Sequence, residues 1–328
     1  MTLTDLLSLG FMQRALVAAL ISGLLCPAVG AYIVQRRLSL LGDGLGHVAI
    51  CGVGLALLTG TAPLPVAIIV CLAGALGIEW LREKGKATAD VGLAILFYGG
   101  ISTGLLLAGL AGQGAGTLSQ YLFGSLITVT PADIWLITGL AVVVIVVCLG
   151  LAPQLFSVCL DEDYARTQGL PVRALNMTIV AMAAIVVTLS MRTVGLLLVS
   201  ALMIVPVAAA QNLAPSFRAM LGLAMVIGLV TGGGGTLLSA AVDTPSGPTI
   251  VVSAIIVFIL AGAVSALRER RRRPADPGLT GPPAHHVVAE PHTDDDDAHS
   301  LAVLHDDHVD YLHDGHRHAP HGDHYDEH

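Results

Sequence analysis

Charge is what this sequence has least of. Only 12% of its 328 residues are Asp, Glu, Lys or Arg, whereas a soluble domain carries about 25%. The charges that exist crowd into short islands and into the C-terminal segment. None lies between Asp90 and Asp133, Asp133 and Asp161, Arg192 and Arg218, Arg218 and Asp243, or Asp243 and Arg268. Each run reaches the ~20 residues that a helix needs to span a bilayer. A soluble globular fold is thereby excluded. So is a transmembrane β-barrel, whose strands alternate apolar and polar over about 10 residues; AVVVIVVCLGL and TIVAMAAIVV are apolar all round. Cysteine is also sparse. Five cysteines are scattered, with neither disulfide nor metal spacing, and Cys26, Cys51, Cys71 and Cys148 read as small apolar residues within spans. No H-E-x-x-H pair occurs, which removes an intramembrane zinc protease. No cleavable signal is evident, and the first apolar run reads as a span.

Apolar runs and glycine are what is there in quantity. The chain is 54% hydrophobic with 37 glycines, a composition that suits close helix packing in lipid. Nine candidate spans lie at about 12–34, 39–60, 63–81, 90–112, 131–152, 174–191, 193–213, 218–241 and 246–267. The polar, glycine-rich region 112–130 reads as a short re-entrant or interfacial helix. The expected fold class is therefore all-α: a polytopic helical membrane protein of about eight or nine spans over residues 1–273, followed by a tail over 274–328. That tail is rich in Pro, Gly, Asp and His, and its composition predicts disorder.

Orientation follows from the basic residues. With the N-terminus outside, Arg36, Arg37, Arg82, Lys84, Lys86, Arg166, Arg173, Arg218, Arg268 and Arg270–Arg273 all fall on the cytoplasmic side. That is 13 of the 16 basic residues, and it puts the tail in the cytoplasm.

Within the second span, LLGDGLGHVAICG carries Asp43 and His47, an i, i+4 pair on one helical face. If the span begins at Leu38–Ser39, His47 lies about 13 Å along it, close to mid-bilayer. Ser39 and Cys51 continue the same ladder, and Gly42, Gly44 and Gly46 keep its flanks slim. His47 is the only histidine before residue 285. Ionisable residues in a span are costly and point to function. Imidazole plus carboxylate is a donor set that zinc, manganese or iron accepts, so both residues are candidate metal ligands. Two ligands fall short of a full shell, which suits transit rather than storage. The competing reading is a polar pair that hydrogen-bonds and holds two helices together.

Six stretches carry a resemblance. RRLSLLGDGLGHVAICGVGLAL, KATADVGLAILF, QYLFGSLITVTPAD, DEDYARTQGLPV, TVGLLLVSALMIVPVAAA and DTPSGPTIVV occur in this order over residues about 15 to 265. Together they resemble the permease subunits of the zinc and manganese (metal-ion) ATP-binding-cassette importers. The chain departs from that pattern at Gly46, where serine or alanine is common, and in its histidine-laden tail.

The resemblance implies a permease that is not itself an enzyme and holds no tightly bound cofactor. Two copies would enclose a pore as a homodimer in the plasma (inner) membrane. ATP would be used by a separate cytoplasmic ATP-binding subunit, and an extracytoplasmic metal-binding protein would deliver the divalent ion, zinc before manganese or iron. No nucleic acid is implied. DEDYARTQGLPV resembles the segment that couples to the ATPase, with Asp161, Glu162, Tyr164, Ala165, Arg166 and Gly169 as its candidate residues. Gly169 and Pro171 supply a helix stop, and Arg166 a charge for an acidic groove on the partner.

Other features remain open at this level. Ser200, Met203 and Pro206 mark a span that Pro206 could break and that could line a path; packing is the alternative for Met203. DTPSGP is a docking loop or a plain turn. Gly232–Gly235 is a hinge or a close-contact face. Glu79 and Asp90 read as interfacial charges balanced by Arg82, Lys84 and Lys86. The tail holds twelve of the thirteen histidines, and His305, His308, His313, His316, His318, His321, His324 and His328 are candidates for loose binding of divalent metal. A secondary metal transporter or exporter would need more intramembrane carboxylates or histidines than this chain has. A siderophore or cobalamin permease would not need Asp43 and His47.

Overall fold

The computed structural model describes residues 10–85, 89–112, 115–124, 130–191 and 194–272, together with five strand segments between 286 and 327. In chain order the helices are α1 (Gly10–Gln35), α2 (Leu41–Thr59), α3 (Pro63–Glu83) and α4 (Ala89–Ala94). A π-helical turn over Ile95–Gly99 joins α4 to α5 (Gly100–Leu110), and α6 (Ala115–Phe123) and α7 (Pro131–Gly150) follow. Then come α8 (Ala152–Leu160), α9 (Glu162–Thr167), α10 (Val172–Ser190), α11 (Leu196–Gln211), α12 (Phe217–Val242) and α13 (Ser246–Arg272). Among the described residues, eight helices are long and apolar enough to cross a bilayer. They are α1, α2, α3, the compound α4–α5, α7, α10, α12 and α13.

Boundaries follow local chemistry. α2 ends at Gly60, whose φ of 67° is left-handed, and Pro63 opens α3; glycine and proline suit those two positions. Thr130 and Asp133 form a reciprocal capping box at the start of α7. The expected ninth span, 193–213, is shorter than its apolar run. Its helix α11 has 16 residues, because Gly195 (φ 91°) keeps the chain non-helical up to that point. A Cβ at Gly195 would run into the Phe123–Gly124 backbone at the end of α6. Pro206 does not break α11, which continues to Gln211.

Helices α1, α2 and α10 are mostly buried, whereas α3, α5, α7 and α13 turn apolar side chains such as Ile69, Leu106, Trp135 and Ile259 outward. That distribution fits a bundle whose rim faces hydrocarbon. Helices in lipid gain little from apolar burial against one another, so close packing of small residues holds them. Gly23 of α1 abuts the Gly228 backbone of α12, and Gly30 abuts Met203 of α11. A Cβ at Gly54 would lie 2.5 Å from the Gly104 carbonyl oxygen, and one at Gly52 2.5 Å from the Ala67 Cα. Three of the four glycines at 232–235 are likewise contact residues: a Cβ at Gly232 would meet Ala19 O at 2.9 Å, and Gly233 and Gly235 meet Leu20 and Ile250. The cysteines pack as expected. Cys26, Cys71 and Cys148 are buried, and the Cys71 thiol donates to Leu45 O at 3.3 Å.

Contacts divide the chain into residues 1–268 and 269–328. The second unit is the tail. It carries β1 (His286–Val288), β2 (Leu301–His305), β3 (His308–His313), β4 (His316–His321) and β5 (His324–Glu327) in one antiparallel sheet, ordered β1-β5-β4-β3-β2.

Candidate functional site

The first turn of α2 sets the site. The helix begins at Leu41, so Ser39 lies in the preceding turn and does not extend the Asp43–His47 ladder. Asp43 falls in the first helical turn, where a carboxylate complements the partial positive charge of the N-terminus. It is half-buried and lines an open groove of about 300 Å³ with Leu40, Gly44, Leu93, Ala94, Phe97 and Tyr98. His47, one turn further on, is 5% exposed. Cys51 follows as a half-buried free thiol.

The π-helical turn supplies the opposite wall. It carries Phe97 and Tyr98, and the Phe97 ring meets the His47 ring edge-on at 4.0 Å between centroids. Phe97 therefore borders both ligand candidates. Turns of this kind recur at functional positions. Directly below, α5 reaches the backbone of α2: a Cβ at Gly100 would sit 2.6 Å from His47 C and Val48 N. The slim flanks of α2 serve this packing. Gly46 accepts Leu196, and Gly42 accepts Ser200, whose Oγ would lie 2.8 Å from a Cβ there.

Two buried polar atoms in this region have no hydrogen-bond partner, His47 Nδ1 and Ser200 Oγ. Leaving such an atom unpaired costs about 1–3 kcal/mol. Among the described residues no hydrogen bond joins Asp43 to His47, so the pair is not a polar staple between helices. Nor do the described residues contain a cluster of three or more His, Cys, Asp or Glu able to hold a metal. The arrangement is two free donor groups a helical turn apart beside a groove.

A second polar cluster lies at the end of the bundle where α1 gives way to α2. Arg36 Nη2 donates to Glu162 Oε1 at 2.8 Å, and Asn176 Nδ2 donates to the same oxygen at 3.0 Å. Glu79 of α3 is buried against Arg82 at 2.7 Å, with Arg36 at 3.8 Å. Glu79 is thus a balanced charge, as its basic neighbours imply, and Arg36 is an additional partner. The side chain of Asp90 lies outside the described residues. Arg173 pairs with Glu83 at 2.9 Å. Glu79, Arg82, Glu83, Glu162, Arg173 and Asn176 rim a charged recess of about 540 Å³ beside α9.

Helix α9 is built as its sequence predicts. Asp161 is its cap, accepting from the amides of Asp163 and Tyr164 at 2.9 and 3.0 Å, and Gly169 (φ 75°) follows its end. Ala165 is buried, whereas Tyr164 and Arg166 are exposed, and Arg166 pairs within its own helix with Asp163 at 3.2 Å. In the neighbouring α8, burial pushes the Cys159 thiol up to about 12, against the opposing pull of Arg36, which leaves it protonated and inert. Of the tail candidates, His305, His308, His313, His316, His318, His321 and His324 lie on strands, and His328 is outside the described residues. Local spacing gave no sign of Phe97 or of the Arg36–Glu162 contact; Ser200, marked in the sequence on a span that could line a path, packs against Gly42 of α2.

Eight candidate spans among the described residues, with a half-buried carboxylate one turn from a buried imidazole and a short capped helix tied to one end, define a multi-pass helical membrane protein. The chain belongs to the ABC 3 transport family, whose model matches residues 8–265. It is 31% identical over 259 residues to the manganese transport system membrane protein MntC of Halalkalibacterium halodurans, covering 78% of this chain and 88% of that one. The high-affinity zinc uptake system membrane protein ZnuB of Haemophilus influenzae is 27% identical over 246 residues, covering 75% and 94%. Among solved structures, PsaBC from Streptococcus pneumoniae in complex with Fab superposes with a TM-score of 0.70 at 26% identity, over 81% of this chain and 98% of that one.

Proposed function

We propose that this chain is the membrane subunit of an ATP-driven importer for a divalent transition-metal ion, with Asp43 and His47 as transit ligands. The observation that carries the reading is a buried imidazole with an unpartnered Nδ1, one turn from a half-buried carboxylate that borders a groove. Family membership and relatives named for manganese and zinc transport support it. Zinc is the favoured cargo, because imidazole sites bind it more tightly than manganese.

The chemistry follows from the donor count. An ion between Asp43 and His47 would satisfy the imidazole nitrogen and neutralise the carboxylate. Water would fill the remaining positions, so the ion is held without a closed protein shell and can leave. Phe97 keeps His47 oriented and limits access from one side. Half of the path would come from a second copy of the chain, with Cys51 bordering it one turn beyond His47.

The basic-residue bias supports placing α8, α9 and the tail in the cytoplasm and the loop at 243–245 outside. The outer loop would receive the metal-delivery protein. A separate ATPase would press on Tyr164 and Arg166 of α9. Glu162 would transmit the displacement through Arg36 to the turn that opens α2, shifting Asp43 and His47 between outward and inward access.

The test is ATP-dependent accumulation of radiolabelled zinc or manganese in proteoliposomes that hold this chain with its ATPase. Accumulation that requires ATP supports the reading. Accumulation driven by a proton gradient without ATP would make the protein a secondary transporter.

A further inference from the structure

Helix α1 stops in a way that leaves a cation unmatched. The Arg37 amide donates to Val34 O at 3.0 Å and the Leu38 amide to Ile33 O at 3.0 Å, with Arg37 at φ 57°. This is a Schellman cap with Arg37 at its left-handed position, which glycine usually fills. Here the position holds an exposed guanidinium instead. Arg37 has no ion-pair partner among the described residues, whereas its neighbours are matched, Arg36 with Glu162 and Arg82 with Glu79. One positive charge is left over, and Arg36 Nη1 adds a buried N–H group without a partner.

Arg36, Arg37 and Arg82 line a recess of about 500 Å³ between the ends of α1, α3 and α8, with Glu162 as its single carboxylate. The recess of about 540 Å³ beside α9 is balanced, with Glu79, Glu83 and Glu162 against Arg82, Arg166 and Arg173. An anion is therefore drawn to the first and not to the second. Guanidinium groups suit phosphate, because their planar N–H pairs match two oxygens at once. The surroundings select the kind of phosphate. Trp80, two residues before Arg82, is 39% exposed, and Lys84 Nζ lies 4.1 Å from its ring centroid. Exposed tryptophan at a span end marks the membrane–water boundary. Leu160, exposed at the recess wall, offers an apolar surface to an acyl chain. Basic pockets between spanning helices at that depth suit anionic headgroups.

We propose that this recess binds the headgroup of an anionic phospholipid, its phosphate held by Arg36, Arg37 and Arg82 and an acyl chain passing Leu160. Arg37 supplies the charge that the protein itself leaves unmatched. A lipid of net negative charge answers that surplus, whereas a zwitterionic one does not. The headgroup rests against the turn between α1 and α2, the same turn that Glu162 of α9 grips through Arg36. The inference rests on the cap geometry and the charge pairing, and it does not depend on the cargo or on the direction of transport.

The test is native mass spectrometry of the full chain in detergent, titrated with phosphatidylglycerol, phosphatidylcholine or inorganic phosphate alone. The wild type should hold phosphatidylglycerol at least about fivefold more tightly than phosphatidylcholine, and R37G should lose about fivefold in that affinity, the share of one basic side chain at an anionic surface. Glycine suits the left-handed position, so R37G keeps the cap and the fold. R37K, which keeps the charge, should retain more affinity than R37G. R173Q, in the balanced recess, should bind as wild type. Equal binding of the two lipids, or wild-type affinity in R37G, would overturn the proposal. Inorganic phosphate bound as tightly as the lipid would make this a free-anion site and overturn the lipid assignment. Release of the bound lipid when the ATPase subunit is added would assign the recess to that protein and overturn it as well.

Discussion

Arg36 and Glu162 are 126 positions apart in sequence and joined at 2.8 Å. The Arg36 side chain is 4% exposed, and its second nitrogen, Nη1, has no partner. Glu162 sits on α9, and Arg36 lies in the turn between α1 and α2. The contact thus ties the candidate coupling segment to the start of the helix that carries Asp43 and His47. Removing one member of a buried pair leaves the other uncompensated and costs about 3–5 kcal/mol. Glu162 is 38% exposed, so solvent screening reduces its share to about 1 kcal/mol or less. R36M leaves the part-exposed Glu162 to solvent and Glu79 to Arg82, and should therefore lower the melting temperature of the purified protein only slightly. E162Q leaves the buried Arg36 with Glu79 alone at 3.8 Å and should lower it more. If R36M is nearly as stable as wild type yet loses ATP-dependent metal uptake, the contact carries motion. Normal uptake in R36M would restrict it to a structural role.

The approach of α5 to α2 predicts a sharp contrast between adjacent glycines. A Cβ at Gly100 would meet the His47 backbone at 2.6 Å, whereas one at Gly99 meets nothing within 4 Å. G100A should destabilise the protein by about 1–3 kcal/mol through overpacking, read as a lower melting temperature and reduced membrane levels. G99A should behave as wild type. Equal behaviour of the two variants would contradict the packing described.

The edge-on contact of Phe97 with His47 predicts shielding. Truncation by F97A should open one side of the imidazole. Its modification by diethyl pyrocarbonate, followed by mass spectrometry of the peptide containing residue 47, should become faster than in wild type. An unchanged rate would mean that Phe97 does not control access.

The fold class is legible in the sequence, and so is the candidate site, because charge inside apolar runs stands out. Asp43 and His47 need no structure to be noticed. Phe97 is different: an aromatic in an apolar run carries no mark of what lies across from it. Arg36 and Glu162 each read as boundary charges, and only the fold brings them together. Ser39 lies outside the helical ladder because α2 starts two residues later than the apolar run. The span count differs by one because Gly195 fits against the α6 backbone and delays α11.

The central claim is that Asp43 and His47 handle the ion. It is tested most directly by uptake of labelled zinc into cells that express D43N or H47Q at wild-type membrane levels. The account predicts that each variant falls at least about tenfold below wild type, the scale of loss expected when a metal site is stripped of a needed group, while ATPase binding is preserved. Wild-type uptake in both variants would contradict it.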